Sequence, residues 1–170
     1  MRNTPMKRES KSKVLTLTDV VGQVRTWQDG GKTIVTANGS FDIMHAGHVA
    51  FLEAAAEQGD VLVIGINSNA SVQAYKSPLR PIIGEADRAR MVAALECVDM
   101  VFLFDETDPR EWLRQVKPDV HVNGAEYGED CIERDVVEAG GGHIRLIAPV
   151  DGLSTSAIIE RVVALAREEQ

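Results

Sequence analysis

Short apolar runs alternate along the chain with segments whose apolar residues recur at helical spacing. The run at 33–37 is continuous and β-branched, which is typical of a strand buried on both faces of a parallel sheet. The runs predict strands at 33–37, 61–66, 100–104, 119–123 and 143–147. The other segments predict helices at about 16–27, 49–58, 70–75, 84–96, 109–116, 129–139 and 154–167. This alternation predicts a single-domain α/β fold, an open parallel five-stranded sheet with helices on both faces.

Several predicted helices begin or end at residues that suit those positions. Thr16 or Thr18 can cap the first helix, and Pro109 stands where the first residue of another is expected. Glycines at 30–31 and 140–142 follow two of the helices and predict their ends.

Composition and charge narrow the class of protein. The 170 residues are 44% hydrophobic and 26% charged, with a formal net charge of −8. This acidic balance argues against a protein that binds nucleic acid or anionic membranes. No apolar run approaches the roughly 20 residues of a membrane span. Cys97 and Cys131 have no metal-type spacing, so we expect a reduced, cytoplasmic setting.

Residues 1–13 differ from the rest of the chain. They are polar and basic, and no apolar segment follows them, so a secretory signal is not expected. We expect a disordered N-terminal arm here, ahead of one domain over residues 14–170.

The first predicted strand runs into a segment that has the features of an anion site. Residues 37–48 read Ala-Asn-Gly-Ser-Phe-Asp-Ile-Met-His-Ala-Gly-His. His45 and His48, at i and i+3 on a first helical turn, point to the same side. Gly39 and Gly47 permit close backbone approach, and a helix start offers unpaired N–H groups. The segment therefore predicts a phosphate site.

The two histidines also have plainer interpretations. They can be a metal-binding pair or two residues on a helix surface. No third metal ligand is evident, because His121 lies in the middle of a predicted strand and His143 begins another.

Further polar clusters stand where predicted elements meet. They are residues 67–71, 123–127, the loop 76–81 and the segment 154–156. In an open α/β sheet such clusters can face one rim at the carboxyl ends of the strands. Lys76 and Arg80 can equally be solvated loop charges, and Arg88 can pair with Glu85 on a helix face. The hydroxyls of 154–156 can be a helix cap alone.

Taken together, these segments resemble the HxGH nucleotidyltransferases, whose cytidylyltransferase-like fold is Rossmann-like. Within that family the resemblance is to the adenylyltransferases of heptose 1-phosphate. The matching segments are ANGSFDIMHAGH at 37–48, GINSNASV at 65–72, the loop 76–81, DRARMVAALECVD at 87–99, PDVHVNGAEY at 118–127 and DGLSTSAII at 151–159. The similarity extends from about residue 32 to residue 164, and it implies an enzyme.

The resemblance implies roles for individual residues. The implied catalytic residues are His45, His48, Lys76 and Arg88. The implied nucleotide-binding residues are Gly39, Ser40, Phe41, Asp42, Gly47, Asn123, Gly124, Glu126, Ser154, Thr155 and Ser156. Asn67, Arg80 and Tyr127 are implied in binding the substrate. No protein-bound metal is implied, since Mg²⁺ would be bound mainly through the nucleotide phosphates. Relatives of this fold often dimerise, so the resemblance makes a homodimer possible, while the sequence itself does not indicate an oligomeric state.

The expected reaction transfers AMP from ATP to a sugar 1-phosphate, heptose 1-phosphate in the first instance, with release of pyrophosphate. The chain departs from the family at Asn123, where many relatives have lysine, and at Asn69, where aspartate is frequent. Ser156 replaces a threonine, and Pro149 stands where cytidylyltransferases have arginine. One alternative is a CTP-dependent cytidylyltransferase acting on glycerol 3-phosphate or phosphoethanolamine. Another is a nucleotide-binding regulatory module without catalytic activity.

Overall fold

One parallel sheet of five strands forms the centre of the computed structural model, which describes residues 9–128 and 130–168. The strands are β1 (Ile34–Gly39), β2 (Val61–Asn67), β3 (Met100–Phe104), β4 (Val120–Gly124) and β5 (His143–Ile147). Their order across the sheet is β3-β2-β1-β4-β5, and the neighbouring strands pair in parallel. The α/β fold class predicted from the sequence is confirmed.

The helices of the described residues are α1 (Leu17–Asp29), α2 (Ala46–Ala56), α3 (Asn69–Tyr75), α4 (Glu85–Ala93), α5 (Arg110–Val116), α6 (Arg134–Ala139) and α7 (Thr155–Glu168). Helices pack against both faces of the sheet, whereas α7 has no buried residue. One apolar cluster joins Leu52 of α2 and Val92 of α4 to the sheet. The other joins Val24 of α1 and Trp112 of α5 to the opposite face. These two clusters form the core, because successive residues of each strand face opposite sides.

The strand order creates a crevice between β1 and β4. The chain builds outward from β1 to β2 and β3, and then crosses to β4 on the other side of β1. At such a switch point the loops that follow the two strands separate, which leaves room for a ligand beyond their carboxyl ends.

Some helix bounds differ from the predicted ones. Helix α1 is capped by Thr16, whose hydroxyl accepts a hydrogen bond from the Asp19 N–H. Helix α4 ends before its predicted limit because the chain must turn to place Asp99 beside Leu62, with which it exchanges two hydrogen bonds. Pro109 lies at the N-cap of α5 and not at its first position. Helix α6 begins five residues later than predicted, at Arg134.

The predicted N-terminal arm lies mostly outside the described residues. Its end does not, and there Ser10–Lys13 forms a 3-10 helix. Lys13 Nζ donates hydrogen bonds to the carbonyls of Leu95 and Val98, just after α4. The ordered domain therefore begins earlier than residue 14. Among the described residues, no helix combines the length and apolar character needed to cross a membrane.

Candidate active site

A cavity of about 690 Å³ opens at the crevice beyond β1 and β4. Most of the residues predicted for the site line its walls. They are Gly39, Ser40, Phe41, His45, Gly47, His48, Asn67, Lys76, Asn123, Gly124, Glu126, Tyr127, Ser154 and Thr155. Its volume is within the range of about 300–1,000 Å³ that small-molecule sites occupy.

The two histidines stack at the start of α2. Their ring centroids lie 3.9 Å apart, and the ring planes are inclined by 28°. The His45 N–H donates to His48 Nδ1 at 3.3 Å. A neutral His48 ring with Nδ1 as acceptor carries its proton on Nε2. Gly47 makes the stacking possible, because a Cβ at that position would lie 2.9 Å from His45 Nδ1.

Burial keeps His48 in its neutral form. It lowers the pKa of His48 to about 4, and electrostatic interactions with His45 and Lys76 act in the same direction. At neutral pH the ring is therefore an uncharged donor through Nε2. His45 Nδ1 is buried and has no hydrogen-bond partner among the described residues, so it retains unused bonding capacity.

The loop between β1 and α2 holds a strained backbone. Phe41 and Ile43 have positive φ angles of 48° and 51°. For residues with side chains this conformation costs on the order of 1–3 kcal/mol each, and it persists only when neighbours enforce it. Two side chains do so here. Arg88 Nη1 donates to the Ser40 carbonyl at 2.5 Å, and Thr155 Oγ1 donates to the Asp42 carbonyl at 2.9 Å.

Asp42 and Arg80 pair with each other behind this loop. Arg80 Nε donates to Asp42 Oδ2 at 2.8 Å, and the backbone N–H groups of Ile82 and Ile83 donate to the same carboxylate. Burial by itself raises the pKa of Asp42, but these hydrogen bonds and the Arg80 charge outweigh it and lower the pKa overall. The carboxylate is thus ionised and ties the loop after α3 to the loop after β1.

Arg88 is fully buried and also acts on the loop. Besides the Ser40 carbonyl, it donates to the carbonyl of Ile83 at 2.9 Å and to Asn69 Oδ1 at 3.1 Å. Arginine remains protonated even where burial lowers its pKa, so this is a buried cation with three oxygen acceptors.

Four predicted site residues do not line the cavity. They are Asp42, Arg80, Arg88 and Ser156. Asp42 and Arg80 pair with each other, and Arg88 donates to backbone carbonyls of two neighbouring loops. Ser156 is an exposed residue of α7. A direct contact between these four residues and a ligand stays a prediction.

Lys76 is the one lysine or arginine on the cavity walls, as far as the chain is described. Its Nζ donates to Ser40 Oγ at 3.0 Å, which holds the ammonium group beside the β1–α2 loop. Burial lowers the pKa of Lys76, and the charge of Arg80 lowers it further.

Ser154 and Thr155 close the cavity from the start of α7. Ser154 Oγ accepts from the Ala157 N–H at 3.1 Å, so it caps the helix as the plainer interpretation expects. It also lines the cavity, together with Thr155. Two helix starts, those of α2 and α7, therefore meet at one cavity. We call the residues around this point the anion cradle, which consists of His45, His48, Lys76, Ser154 and Thr155.

The wall after β4 is acidic and amide-bearing. Asn123 Nδ2 donates to Glu133 Oε2 at 3.1 Å, and both residues are buried. Glu126 folds back over the end of β4, where a Cβ at Gly124 would lie only 2.2 Å from its carboxylate. Asp130 lies on the same wall. Across the described residues no group of three His, Cys, Asp or Glu side chains could hold a metal ion.

Sequence reasoning missed part of the lining. The missed residues include Asn38, Phe51, Tyr75, Glu133, Ile147, Val150 and Leu153. Asn38 and Ile147 had a usable signal, because they lie at or near the carboxyl ends of predicted strands. Glu133 had none, since it falls inside a segment predicted as helix and reaches the cavity only because α6 starts at Arg134.

The fold and the cavity define an open α/β protein whose topological switch point carries a cavity lined by two histidines, a lysine and two hydroxyl side chains. Comparison with known families gives the narrower assignment. The cytidylyltransferase-like family model matches residues 36–161. The chain belongs to this family, as its motifs indicated.

Individual relatives agree with this assignment. The "Bifunctional protein HldE" of Geobacter metallireducens is 43% identical over 162 residues, which are 95% of this chain and 33% of that protein. The protein of the same name from Syntrophotalea carbinolica is 48% identical over 141 residues, covering 82% of this chain and 28% of that protein. The chain therefore spans about a third of the length of these relatives.

A solved structure extends the agreement to three dimensions. The crystal structure of the lipopolysaccharide core biosynthesis protein from Thermoplasma volcanium matches with a TM-score of 0.56 at 27% identity. The match covers 70% of this chain and 97% of that one.

Proposed function

We propose that the protein is a nucleotidyltransferase that transfers AMP from ATP to a sugar 1-phosphate, namely heptose 1-phosphate. The products are ADP-heptose and pyrophosphate. The observation that carries the proposal is the anion cradle, in which stacked His45 and His48 at one helix start face Ser154 and Thr155 at another. Similarity to the HldE relatives and to a lipopolysaccharide core biosynthesis protein supports the choice of sugar.

The proposed reaction requires no strong base. A phosphate oxygen of the acceptor attacks the α-phosphorus of ATP and forms the new P–O bond. The bond from that phosphorus to the oxygen bridging to the β-phosphate breaks, and pyrophosphate leaves. Since the acceptor phosphate is already ionised at neutral pH, no proton must be removed first. The site must position the two phosphates and stabilise the charge of the transition state.

The cradle has groups suited to that task. His48 Nε2–H is directed by the bond at Nδ1, and as a neutral donor it can bind a phosphate oxygen without first losing a proton. Lys76 supplies a positive charge beside the β1–α2 loop. The free N–H groups at the starts of α2 and α7 add hydrogen bonds and a favourable helix dipole.

Mg²⁺ would reach this site with the triphosphate. Among the described residues no group of three His, Cys, Asp or Glu side chains could hold a metal ion, and we propose that the ion is bound mainly through the nucleotide phosphates. Mg²⁺ commonly retains several waters and is held by substrate phosphates. When bound in this way it would neutralise phosphate charge, and the protein's contribution is the positioning described above.

We propose that the buried charges act by positioning. Arg88 and the Asp42–Arg80 pair hold the β1–α2 loop in its strained conformation from behind. Their removal would then disturb the geometry of the cradle without removing a ligand contact.

A pyrophosphate-release assay tests the function. ATP, CTP, GTP and UTP are each combined with heptose 1-phosphate, a hexose 1-phosphate, glycerol 3-phosphate and phosphoethanolamine, with Mg²⁺ present. We expect turnover with ATP and heptose 1-phosphate to exceed every other combination. Preference for CTP with glycerol 3-phosphate or phosphoethanolamine would establish the cytidylyltransferase alternative. Nucleotide binding without turnover on any pair would favour the regulatory module.

We further propose a cytoplasmic homodimer. The cytoplasm supplies ATP, and no membrane-crossing helix occurs in the described part of the chain. Helix α7 exposes the apolar side chains of Val162, Val163 and Leu165, which a second subunit would cover. Light scattering on the eluting protein measures the mass, and a monomer at micromolar concentration would contradict this proposal.

A further inference from the structure

The cavity walls divide into three regions of different chemistry. The first is the anion cradle. The second is an apolar slot formed by Phe51, Ile147, Pro149, Val150 and Leu153. The third, which we call the amide floor, consists of Asn38, Asn67, Asn123 and Glu133. The floor contains no cation, so its chemistry differs from that of a phosphate site.

Three adjacent strands create the amide floor. Thr36 pairs with His121 and Ala37 with Val122, so the next residues in register are Asn38 and Asn123. Residues in register on parallel strands point to the same face of the sheet, about 4.8 Å apart. Asn67 ends β2 two residues after Gly65, the partner of Asn38, and thus points to that face too. An amide therefore stands at the carboxyl end of each of three neighbouring strands.

The floor is rigid and retains unused hydrogen-bonding capacity. Asn67 Nδ2 donates to Ser71 Oγ at 3.0 Å, and Asn123 Nδ2 donates to Glu133 Oε2 at 3.1 Å. Each bond uses one of two donors of its amide. Asn38 Oδ1 is buried and has no partner among the described residues. An unpaired buried carbonyl oxygen costs free energy, so a ligand hydroxyl that bonds to it is favoured.

This chemistry complements hydroxyl groups. Each hydroxyl is at once a donor and an acceptor, as is a side-chain amide, and a carboxylate accepts from two hydroxyls at once. A triphosphate would be repelled by Glu133, which has no cation on the floor to neutralise it. A nucleobase has large apolar faces, and the slot around Phe51 offers the matching surface.

We propose that the amide floor binds the hydroxyl groups of the acceptor, a polyhydroxylated sugar ring, with the Asn123–Glu133 pair and Asn38 as its specificity-determining contacts. The assignment rests on the proposed function, since it presumes a sugar phosphate acceptor. In this arrangement the phosphate group of the acceptor lies in the anion cradle, and the sugar ring of the acceptor lies on the amide floor.

Two variants at separate positions test the floor. Glu133→Gln keeps the size of the side chain and removes the charge, and Asn38→Ala removes an amide from the end of β1. Dissociation constants for heptose 1-phosphate, ATP and inorganic phosphate are measured by isothermal titration calorimetry, with KM for both substrates measured beside them. Glu138→Gln, at an exposed glutamate of helix α6, which begins directly after Glu133, is the matched control for Glu133.

We expect the dissociation constant for heptose 1-phosphate to rise about tenfold in both floor variants. This is the effect of losing one hydrogen bond to a charged or unpaired group. The constants for ATP and inorganic phosphate should stay within about twofold, because their contacts lie in the cradle and the slot. The Glu138→Gln control should match the wild type. Thermal unfolding identifies a variant that fails to fold. If one floor variant fails to fold, the dissociation constants of the other floor variant test the proposal.

Two results would overturn the assignment. One is an unchanged constant for heptose 1-phosphate in both variants, and the other is an ATP constant that rises as much as the acceptor constant. The proposed function is judged separately on the wild type. Binding of heptose 1-phosphate without turnover would contradict the proposed function. The effect of the floor variants on the dissociation constant of heptose 1-phosphate could still be measured by titration. Absence of that binding would overturn both.

Discussion

The proposed chemistry depends most directly on His48, and replacing that residue tests it in two ways. His48→Ala removes the Nε2–H that is directed at the cavity, together with the acceptor for the His45 N–H. That second bond is long, at 3.3 Å, so its loss should cost less than about 1 kcal/mol of stability. His48→Gln keeps a neutral N–H donor at a similar reach. The pair of variants therefore separates the loss of a donor from the loss of a titratable ring.

The size of the effect follows from the role of a single oriented donor. Removing one donor that faces developing charge costs on the order of 10²–10³ in kcat. Because the pKa of His48 is lowered to about 4, the group lost is a neutral donor at pH 7. A neutral amide should then recover about tenfold of the activity, the value of one ordinary hydrogen bond. If His48 acted as the charged imidazolium, the His48→Gln variant would recover none of the activity lost in His48→Ala.

Pyrophosphate release at varied concentrations of ATP and acceptor gives kcat and kcat/KM for the wild type and both variants, from pH 5.5 to 8. His143→Ala, at an exposed histidine that begins β5, is the control for a general effect of losing an imidazole. With a folded-state pKa near 4, protonation of His48 should produce no limb near pH 6.5 in the kcat/KM profile of the wild type. Turnover of His48→Ala within tenfold of the wild type would refute the role. A glutamine variant as inactive as alanine, with a wild-type limb near pH 6.5, would refute the neutral-donor form.

Three further predictions concern other residues. Arg88→Lys should lower the free energy of unfolding, measured by urea titration, by about 2–4 kcal/mol, and it should also reduce kcat. The reason is that one ammonium group cannot satisfy three separated oxygens. An unchanged free energy of unfolding and an unchanged kcat would contradict the positioning role. Thr155→Ala should raise the KM for ATP more than that for the acceptor, and an unchanged nucleotide KM would remove Thr155 from the site. Burial lowers the pKa of His121 to about 3, so the unfolded chain binds the extra proton as pH falls below 6.5. Stability should therefore decline from pH 7 to pH 5, and the His121→Asn variant should lose part of that slope.

Much of the fold was predictable because the central strands are buried on both faces. The run 100–104 is continuous and apolar, and it matches β3 residue for residue. The run 143–147 also matches β5, although this edge strand contains His143 and Arg145 and has no fully buried residue. Helix starts were less certain because capping depends on local backbone conformation. Helix α6 illustrates this, since residues 130–133, predicted as helix, instead precede it and bring Glu133 against Asn123.

The site was predictable in its position but not in its internal contacts. The motif segments brought His45, His48 and Thr155 to one cavity as expected. The partners of Asp42 and Arg88 could not be predicted, because most of them are backbone groups, and the Ser40 carbonyl and the Ile82 N–H are about 40 residues or more away in sequence. Positive φ at Phe41 and Ile43 could not be predicted either, since neither is glycine and tertiary contacts enforce both.

The distribution of positive charge indicates how an acidic chain would hold the polyanion of the proposed function. Arg80 and Arg88 do not line the cavity, and their hydrogen bonds hold the β1–α2 loop. Lys76 alone remains on the described walls, inside a protein with a net charge of −8. Most of the attraction for phosphate must then come from oriented neutral groups, the N–H dipoles at two helix starts and the His48 Nε2–H. Such groups act at contact distance and are little screened by salt, in contrast to exposed charges. The KM for ATP should therefore rise less than about threefold between 0.05 and 0.5 M salt at fixed Mg²⁺, and a far steeper rise would mean that long-range charge dominates.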